Sequence, residues 1–137
     1  MGQIGRAGSS VMAARRRADR AGVDVSAPGM GILGVLERGG PLRVSVVARR
    51  AGMVAPLASR ELRQLEEQGF VTRAADGSDG RAVVVAITTK GRDAYRRLRA
   101  ASVAAAADAL ADWKASELAE LARLLARMAD DFGAARP

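Results

Sequence analysis

The chain has 137 residues, carries 22 basic against 15 acidic side chains for a formal net charge of +7, and contains neither cysteine nor histidine. This length suits one ordinary domain. The absence of cysteine and histidine excludes disulfides, thiol chemistry, zinc or haem sites with Cys or His ligands, and catalytic triads that use His. No apolar run is long enough to span a membrane or to form a signal-peptide core, so we expect a cytoplasmic protein without metal or cofactor.

Two helices are predicted before residue 41. Residues 9–21 contain helix-forming side chains, and Gly22 follows them as a glycine commonly follows a helix C-terminus. Ser26 is the N-cap candidate of a second, short apolar helix with Pro28 in its first turn. A Gly-Gly-Pro sequence at 39–41 stops this helix.

The next two predicted helices are separated by a tight turn. A short extended piece at 42–44 leads into a helix over 45–51, which Ser45 can cap and Gly52 ends. A longer helix is predicted from about residue 55 to residue 68. This arrangement is typical of a helix-turn-helix, in which the first helix braces the second.

The longer helix has one apolar face and one outward face. Its apolar side chains are spaced four and three apart: Ala58, Leu62 and Leu65. The residues turned outward are Pro56, Ser59, Arg60 and Arg63. Such a helix fits the major groove of DNA, where Arg60 or Arg63 could read guanine and Ser59 a base or a phosphate. Leu57 lies near the outward face, and either a contact with a thymine methyl or packing at the helix edge would explain it.

The hydrophobic period changes after residue 69. Residues 70–74 and 82–87 are rich in strand-forming side chains, and the segment between them consists of turn-forming residues. An antiparallel hairpin with a polar tip is predicted.

The hairpin carries three candidate site residues. Asp79 can pair with an arginine and hold the tip rigid, so that Arg81 projects into the minor groove, where the negative potential is enhanced. Arg73 lies on the opposite strand and would suit a phosphate. The tip lacks the alternating carboxylates, the sixth-position glycine and the closing glutamate of a calcium loop, which argues against calcium.

Two helices complete the chain. Thr88 or Thr89 caps a long helix that ends near residue 110, and Ser116 caps the last one. The last helix carries a heptad-like apolar stripe of Leu118, Leu121, Leu125, Met128 and Phe132. This stripe either packs in the core of its own chain or forms an interface with a second copy of the chain. The 30 alanines of the chain limit burial per residue, which favours the homodimer.

Charge is distributed unevenly along the chain. Residues 1–99 have a net charge of +9 and residues 100–137 a net charge of −2. All basic residues except Lys90 and Lys114 are arginines, whose guanidinium binds phosphate in a bidentate way. Genomic base content could explain the excess of arginine over lysine, but not this asymmetry. Clustered arginine with a sequence pI of about 11.3 indicates a nucleic-acid-binding protein whose tail serves self-association.

Residues 41–99 resemble the MarR family of transcriptional regulators. The resemblance is carried by residues 40–44, 47–52, 59–62, 65–66 and 69–71, by the sequence DGSDGRA at 76–82, and by residues 85–88 and Gly91. The hairpin sequence is the most specific of these. The flanking segments 9–40 and 100–132 resemble the outer helices of the family more weakly.

The resemblance implies a mainly α fold with a small β-hairpin wing, a winged helix-turn-helix. Residues 41–99 would bind DNA, and residues 1–40 and 100–137 would form the dimerisation region. It implies a homodimer that reads a palindromic operator, usually as a repressor released by a small aromatic or anionic compound. Carried over by position, the residues in the major groove would be Pro56, Leu57, Ser59, Arg60 and Arg63. Arg81 would be the wing arginine and Asp79 its orienting partner.

The chain departs from the family pattern at several points. Val54 stands where the family usually has a Ser or Thr helix cap, and Leu57 replaces a usual Thr. The N-terminal arm is short, and the redox-sensing branch is excluded because cysteine is absent.

The alternative function is an architectural or protein-interaction module that keeps the winged fold without sequence reading or ligand response. An enzyme is not expected, because acidic pairs such as Asp130-Asp131 are typical of a solvated helix end and no phosphate-cradling glycine loop is present.

Overall fold

The computed structural model describes residues 21–134, which contain five helices and three short strands. In chain order these elements are α1 (Ala27–Gly39), β1 (Leu42–Arg43), α2 (Val44–Arg50), α3 (Ala55–Glu67), β2 (Val71–Ala75), β3 (Val83–Ile87), α4 (Thr89–Ala109) and α5 (Ala115–Ala134). They fall into two compact units, of which the first ends at Ser102 and the second begins at Val103. The predicted helix over 9–21 lies outside the described residues, apart from its last residue.

The three strands form one antiparallel sheet in the order β1-β3-β2. The hairpin of β2 and β3 pairs Val71 with Ile87 at one end and Ala75 with Val83 at the other. The two residues of β1 pair with Val85 and Val84 on the other side of β3. The predicted hairpin is therefore confirmed, and the extended piece before α2 is the third strand of the sheet.

The core of the first unit is built from α1 to α4 and the sheet. Its fully or almost fully buried side chains include Ile32, Leu33, Leu36, Val47, Leu62, Leu65, Val71, Val85, Ala94 and Leu98. Three residues of α1 belong to this core, although the sequence analysis groups residues 1–40 with the dimerisation region. The helix thus supports the helix-turn-helix directly, and a dimerisation role for 1–40 stays a prediction.

The helix ends follow the predicted caps in all but two places, at Ser45 and at Ser116. Ser26 caps α1, where its hydroxyl accepts a hydrogen bond from the Gly29 N–H at 2.9 Å. Gly52 and Gly69 follow α2 and α3 with φ of 65° and 74°, a backbone region that favours glycine. The prediction that Ser45 caps α2 is wrong. The helix begins one residue earlier, with Arg43 at the N-cap, and no side chain in the described part of the chain makes that cap bond.

A tight junction joins the end of α3 to the start of α4. The Thr88 hydroxyl accepts from the Gly91 N–H at 3.0 Å, which caps α4, and lies 2.8 Å from the Gly69 carbonyl oxygen, to which it donates. Gly91 packs against the backbone here, since a Cβ at this position would lie 2.1 Å from the Phe70 carbonyl oxygen. Lys90 donates to the Gln68 carbonyl at 2.7 Å and lies over the Phe70 ring. These contacts fix the C-terminal end of α3.

The second unit consists of the end of α4 and the whole of α5. Ser116 lies inside the first turn of α5 rather than at its cap, while the Glu117 carboxylate accepts from the Lys114 N–H at 2.7 Å. The apolar stripe of α5 is open to solvent, since Leu118 is 38% exposed, Leu125 49%, Met128 50% and Phe132 67%, with Leu121 half-buried. None of the described helices is long and apolar enough to cross a membrane.

Candidate nucleic-acid interface

Helix α3 buries one face and presents the other to solvent. Ala58 and Leu62 are completely buried and Leu65 is 2% exposed. The outward residues Pro56, Ser59, Arg60 and Arg63 are all exposed, and Leu57 is half-buried. The predicted two faces are thus confirmed. Leu57 lies at the border between them, so both explanations of this residue stay open.

The N-terminal end of α3 has no side-chain cap. Val54 occupies the N-cap position with extended backbone, is 70% exposed, and no cap bond from a side chain is found in the described region. Pro56 lies in the first turn, where its missing N–H costs no hydrogen bond. The remaining first-turn N–H groups and the positive end of the helix dipole are therefore available to an anion such as a phosphate.

The tip of the hairpin is organised by Asp76. Its carboxylate accepts from the Ser78 N–H at 3.0 Å and the Ser78 hydroxyl at 2.8 Å, and from Arg43 Nε at 2.7 Å. Arg43 lies on β1, so this ion pair attaches the tip to the strand that leads into α2. Arg43 is not among the predicted site residues, because it lies 33 positions from Asp76 and no local pattern links the two.

These hydrogen bonds make the Asp76 contacts insensitive to ordinary changes of pH. The pKa of Asp76 is lowered to about 2, first by the bonds from Ser78 and then by Arg43. A carboxylate with a lowered pKa stabilises the fold fully above its ordinary pKa of 3.8, and this contribution is lost as the pH falls towards 2. The Asp76 carboxylate therefore stays ionised, and able to accept these hydrogen bonds, throughout the neutral range.

Asp79 holds Arg81 through the backbone. Its carboxylate accepts from the Arg81 N–H at 3.2 Å, and its own N–H donates to the Asp76 carbonyl at 3.2 Å. The expected pairing of Asp79 with an arginine side chain is not what the structure shows, because Asp76 makes that ion pair instead. Arg81 itself is exposed, and no carboxylate of the described residues lies within ion-pair distance of it.

Arg73 faces α3 instead of projecting freely towards a phosphate. Its Nε lies 3.2 Å from the Glu66 carboxylate, at an angle that makes an ion pair but no hydrogen bond. Its terminal nitrogen Nη2 is 3.5 Å from the Ser59 carbonyl oxygen, to which it donates. The side chain is 29% exposed. Arg73 therefore joins the wing to the helix that carries Ser59, and the shape of the surface formed by these two elements depends on it.

The predicted site residues thus fall into two groups. Those on α3 and the hairpin lie in the first unit, where Arg73 links the two elements. The five stripe residues lie on α5 in the second unit. Sequence reasoning also missed Glu61, a buried carboxylate of α3 that accepts from the Ser26 hydroxyl, since a charged residue is ordinarily placed at the surface.

Comparison with known proteins agrees with this geometry. A family model described as MarR family matches residues 23–82. A helix-turn-helix-type transcriptional repressor from Mycobacterium tuberculosis (strain H37Rv) is 32% identical over 99 residues, which cover 72% of this chain and 71% of the relative. A helix-turn-helix-type regulator from Bacillus subtilis is 36% identical over 76 residues, and the chain spans about half of its length (48%).

Solved structures show the same architecture. A probable transcriptional regulator from Pseudomonas aeruginosa superposes with a TM-score of 0.73 at 28% identity, over 93% of this chain and 97% of the other. The PcaV transcriptional regulator from Streptomyces coelicolor, solved in complex with its natural ligand, superposes with a TM-score of 0.64 at 25% identity, over 77% and 75% of the two chains. With its exposed recognition face, its wing and these relatives, the chain belongs to the MarR family of transcriptional regulators.

Proposed function

We propose that this regulator is a repressor that binds a palindromic operator in double-stranded DNA as a homodimer. The observation that carries this proposal is the outward face of α3. It presents Ser59, Arg60 and Arg63 to solvent while Ala58 and Leu62 on the other face are completely buried. A helix held in this way can enter the major groove and place these side chains against base edges.

The electrostatics of the chain support DNA as the partner. The net charge of +9 belongs to residues 1–99, which include α3 and the wing. Arg60, Arg63 and Arg81 are exposed arginines in these elements, and arginine can bind a guanine edge or a phosphate in a bidentate way. Since chromosomal DNA is the proposed partner, we place the protein in the cytoplasm.

The apolar stripe of α5 supports the homodimer. Leu125, Met128 and Phe132 are each at least 49% exposed in the single chain, and a stripe of this kind at heptad-like spacing is typical of a helix that packs on another helix. Two copies related by a twofold axis would present two recognition helices, which is why the proposed operator is palindromic.

Release by a small molecule is the proposed mode of regulation. The similar PcaV regulator has been solved with its natural ligand, and we propose that this chain also responds to a small aromatic or anionic compound. Addition of the effector to a complex with operator DNA should lower the affinity and raise the thermal midpoint of the free protein. An effector that stabilises the protein without releasing DNA would contradict this mode of regulation.

Salt-resolved DNA binding tests the proposed function. Fluorescence anisotropy on the full chain should compare an inverted repeat found near its own reading frame with a scrambled duplex of the same length. We expect both affinities to fall steeply with salt, because arginines displace counterions from phosphates. We also expect the inverted repeat to bind about 10³-fold more tightly or better. Equal affinities at every salt concentration would instead identify an architectural module.

A further inference from the structure

Glu61 is an unusual residue for the inside of a recognition helix. Among the described residues it is the only charged or polar side chain that is buried, with 4% of its surface exposed. It lies on α3 directly after the exposed Arg60. An ionised carboxylate in such a place is costly unless it is paired or hydrogen-bonded, so its partners indicate what it does.

The two carboxylate oxygens of Glu61 have different partners. Oε2 accepts a hydrogen bond of 2.5 Å from the Ser26 hydroxyl, and the same hydroxyl caps α1 by accepting from the Gly29 N–H. Oε1 lies 3.5 Å from Nη2 of Arg60. One oxygen is thus fixed to the start of α1, and the other faces an arginine on the DNA-facing side of α3.

The surroundings leave room for this arrangement. A Cβ at position 29 would lie 3.0 Å from the Ser26 hydroxyl oxygen and 3.6 Å from Glu61 Oε2, so a glycine there lets the three groups approach. Arg60 is the only cation in the described part of the chain within ion-pair distance of Glu61, and its side chain is 68% exposed. The carboxylate is therefore the one group placed to hold an arginine side chain that is otherwise mostly exposed to solvent, among the described residues.

We propose that Glu61 is a positioning residue for DNA recognition, in which a buried carboxylate anchored by Ser26 orients the Arg60 guanidinium towards a base edge. This inference rests on the proposed function. An unrestrained arginine is attracted to any nearby phosphate, which gives affinity without sequence information. A fixed carboxylate limits its orientations and reduces the local positive charge, so it raises the ratio of operator affinity to random-DNA affinity.

The test is Glu61→Gln in the full chain, compared with the wild type on operator and scrambled duplexes. Glutamine keeps an oxygen for the Ser26 hydroxyl but loses the charge that faces Arg60. We expect operator affinity to fall about tenfold, as for one misplaced bidentate arginine, and scrambled-DNA affinity to rise slightly. Glu67→Gln is the matched control, because this exposed carboxylate of α3 changes the net charge equally and should leave the ratio almost unchanged.

A double-mutant cycle separates positioning from a general structural role. In an Arg60→Ala background, Glu61→Gln should no longer change the ratio of operator to scrambled affinity. A ratio that stays at the wild-type value in Glu61→Gln, or that drops equally in the Arg60→Ala background, overturns the inference. Should Glu61→Gln fail to fold, Ser26→Ala is compared in the same two backgrounds with the same expectations. A wild-type protein without operator preference would instead overturn the proposed function.

Discussion

At the scale of single residues, the two wing arginines have different environments. Arg73 is occupied by Glu66 and the Ser59 carbonyl, whereas Arg81 is exposed at the tip. The tip is held by hydrogen bonds on both sides of Arg81, from its own N–H to Asp79 and from the Ala82 N–H to the Asp79 carbonyl at 2.9 Å. Arg81 is therefore the wing side chain that can reach DNA without breaking an existing ion pair.

Replacing Arg81 with alanine should weaken operator binding. We expect a loss of about tenfold, the size of one well-placed arginine contact, together with loss of preference for A·T pairs beside each half-site. Anisotropy on operators with altered flanking pairs measures both effects. Arg99→Ala is the control, since Arg99 is exposed on α4 and is expected to leave binding almost unchanged. Unchanged affinity in Arg81→Ala would remove the wing from the mechanism.

Sequence spacing predicts which α3 side chains face outward, because the helical period places the residues between the apolar positions on the opposite face of the helix. It does not predict the partners of Arg73, Asp76 or Glu61, whose contacts join segments 7 to 35 positions apart. Those pairings depend on how the elements pack. A pattern of residue types along the chain cannot show that Asp76 rather than Asp79 would receive the arginine.

At the scale of elements, several contacts hold the junction between α3 and α4. Thr88 bonds both to the Gly69 carbonyl and to the first turn of α4, and Gly91 packs against the Phe70 backbone. The end of the recognition helix and the start of α4 therefore move together.

Gly91→Ala should destabilise the protein strongly. The new Cβ would meet the Phe70 carbonyl oxygen at 2.1 Å, and such overpacking costs about 1–3 kcal/mol or more of unfolding free energy. Gly31→Ala in α1 is the matched control, because a Cβ there would lie 3.7 Å from the Met53 side chain, which is an ordinary contact distance. Alanine should stabilise this helix by about 0.5–1 kcal/mol relative to glycine. Urea unfolding of both variants measures the difference. Equal stability of the two would show that the junction relaxes easily.

Local sequence signals place most element boundaries within a residue or two. Gly52, Gly69, Ser26 and Thr88 each mark a helix end through their own chemistry. Two serine caps are the exceptions. Ser45 lies inside α2, because the chain passes from the sheet directly into that helix, and Ser116 lies inside the first turn of α5. The sequence also does not predict that β1 belongs to the sheet, because its two residues become a strand only by pairing with β3.

At the scale of the whole molecule, the proposed homodimer would form through α5. Its exposed apolar side chains include Leu124 at 46%, which the predicted stripe omitted, beside Leu125 at 49%. Burial of these side chains against a second copy would supply apolar contacts that α5 lacks in the single chain, where none of its described side chains is buried.

Leu125→Glu combined with Phe132→Glu should convert a dimer into a monomer. We expect sedimentation of the wild type as a dimer at micromolar concentration, and operator binding by the double variant to weaken to that of a single half-site. Arg127→Gln serves as the control, since this α5 side chain is 73% exposed and polar. A wild-type protein that sediments as a monomer would refute the homodimer.

The pairing of β1 with β3 has a consequence for the spacing of the DNA sequence. The two residues of β1 pair with β3 of the wing and are followed without a break by α2, so the wing is hydrogen-bonded to the strand that leads into the helix-turn-helix. Each base pair advances the duplex by about 3.4 Å. In the proposed complex, one base pair inserted between the segment read by α3 and the segment contacted by the hairpin would move them apart by this distance. Because β1 connects the two elements, we expect the protein to bind such a target more weakly.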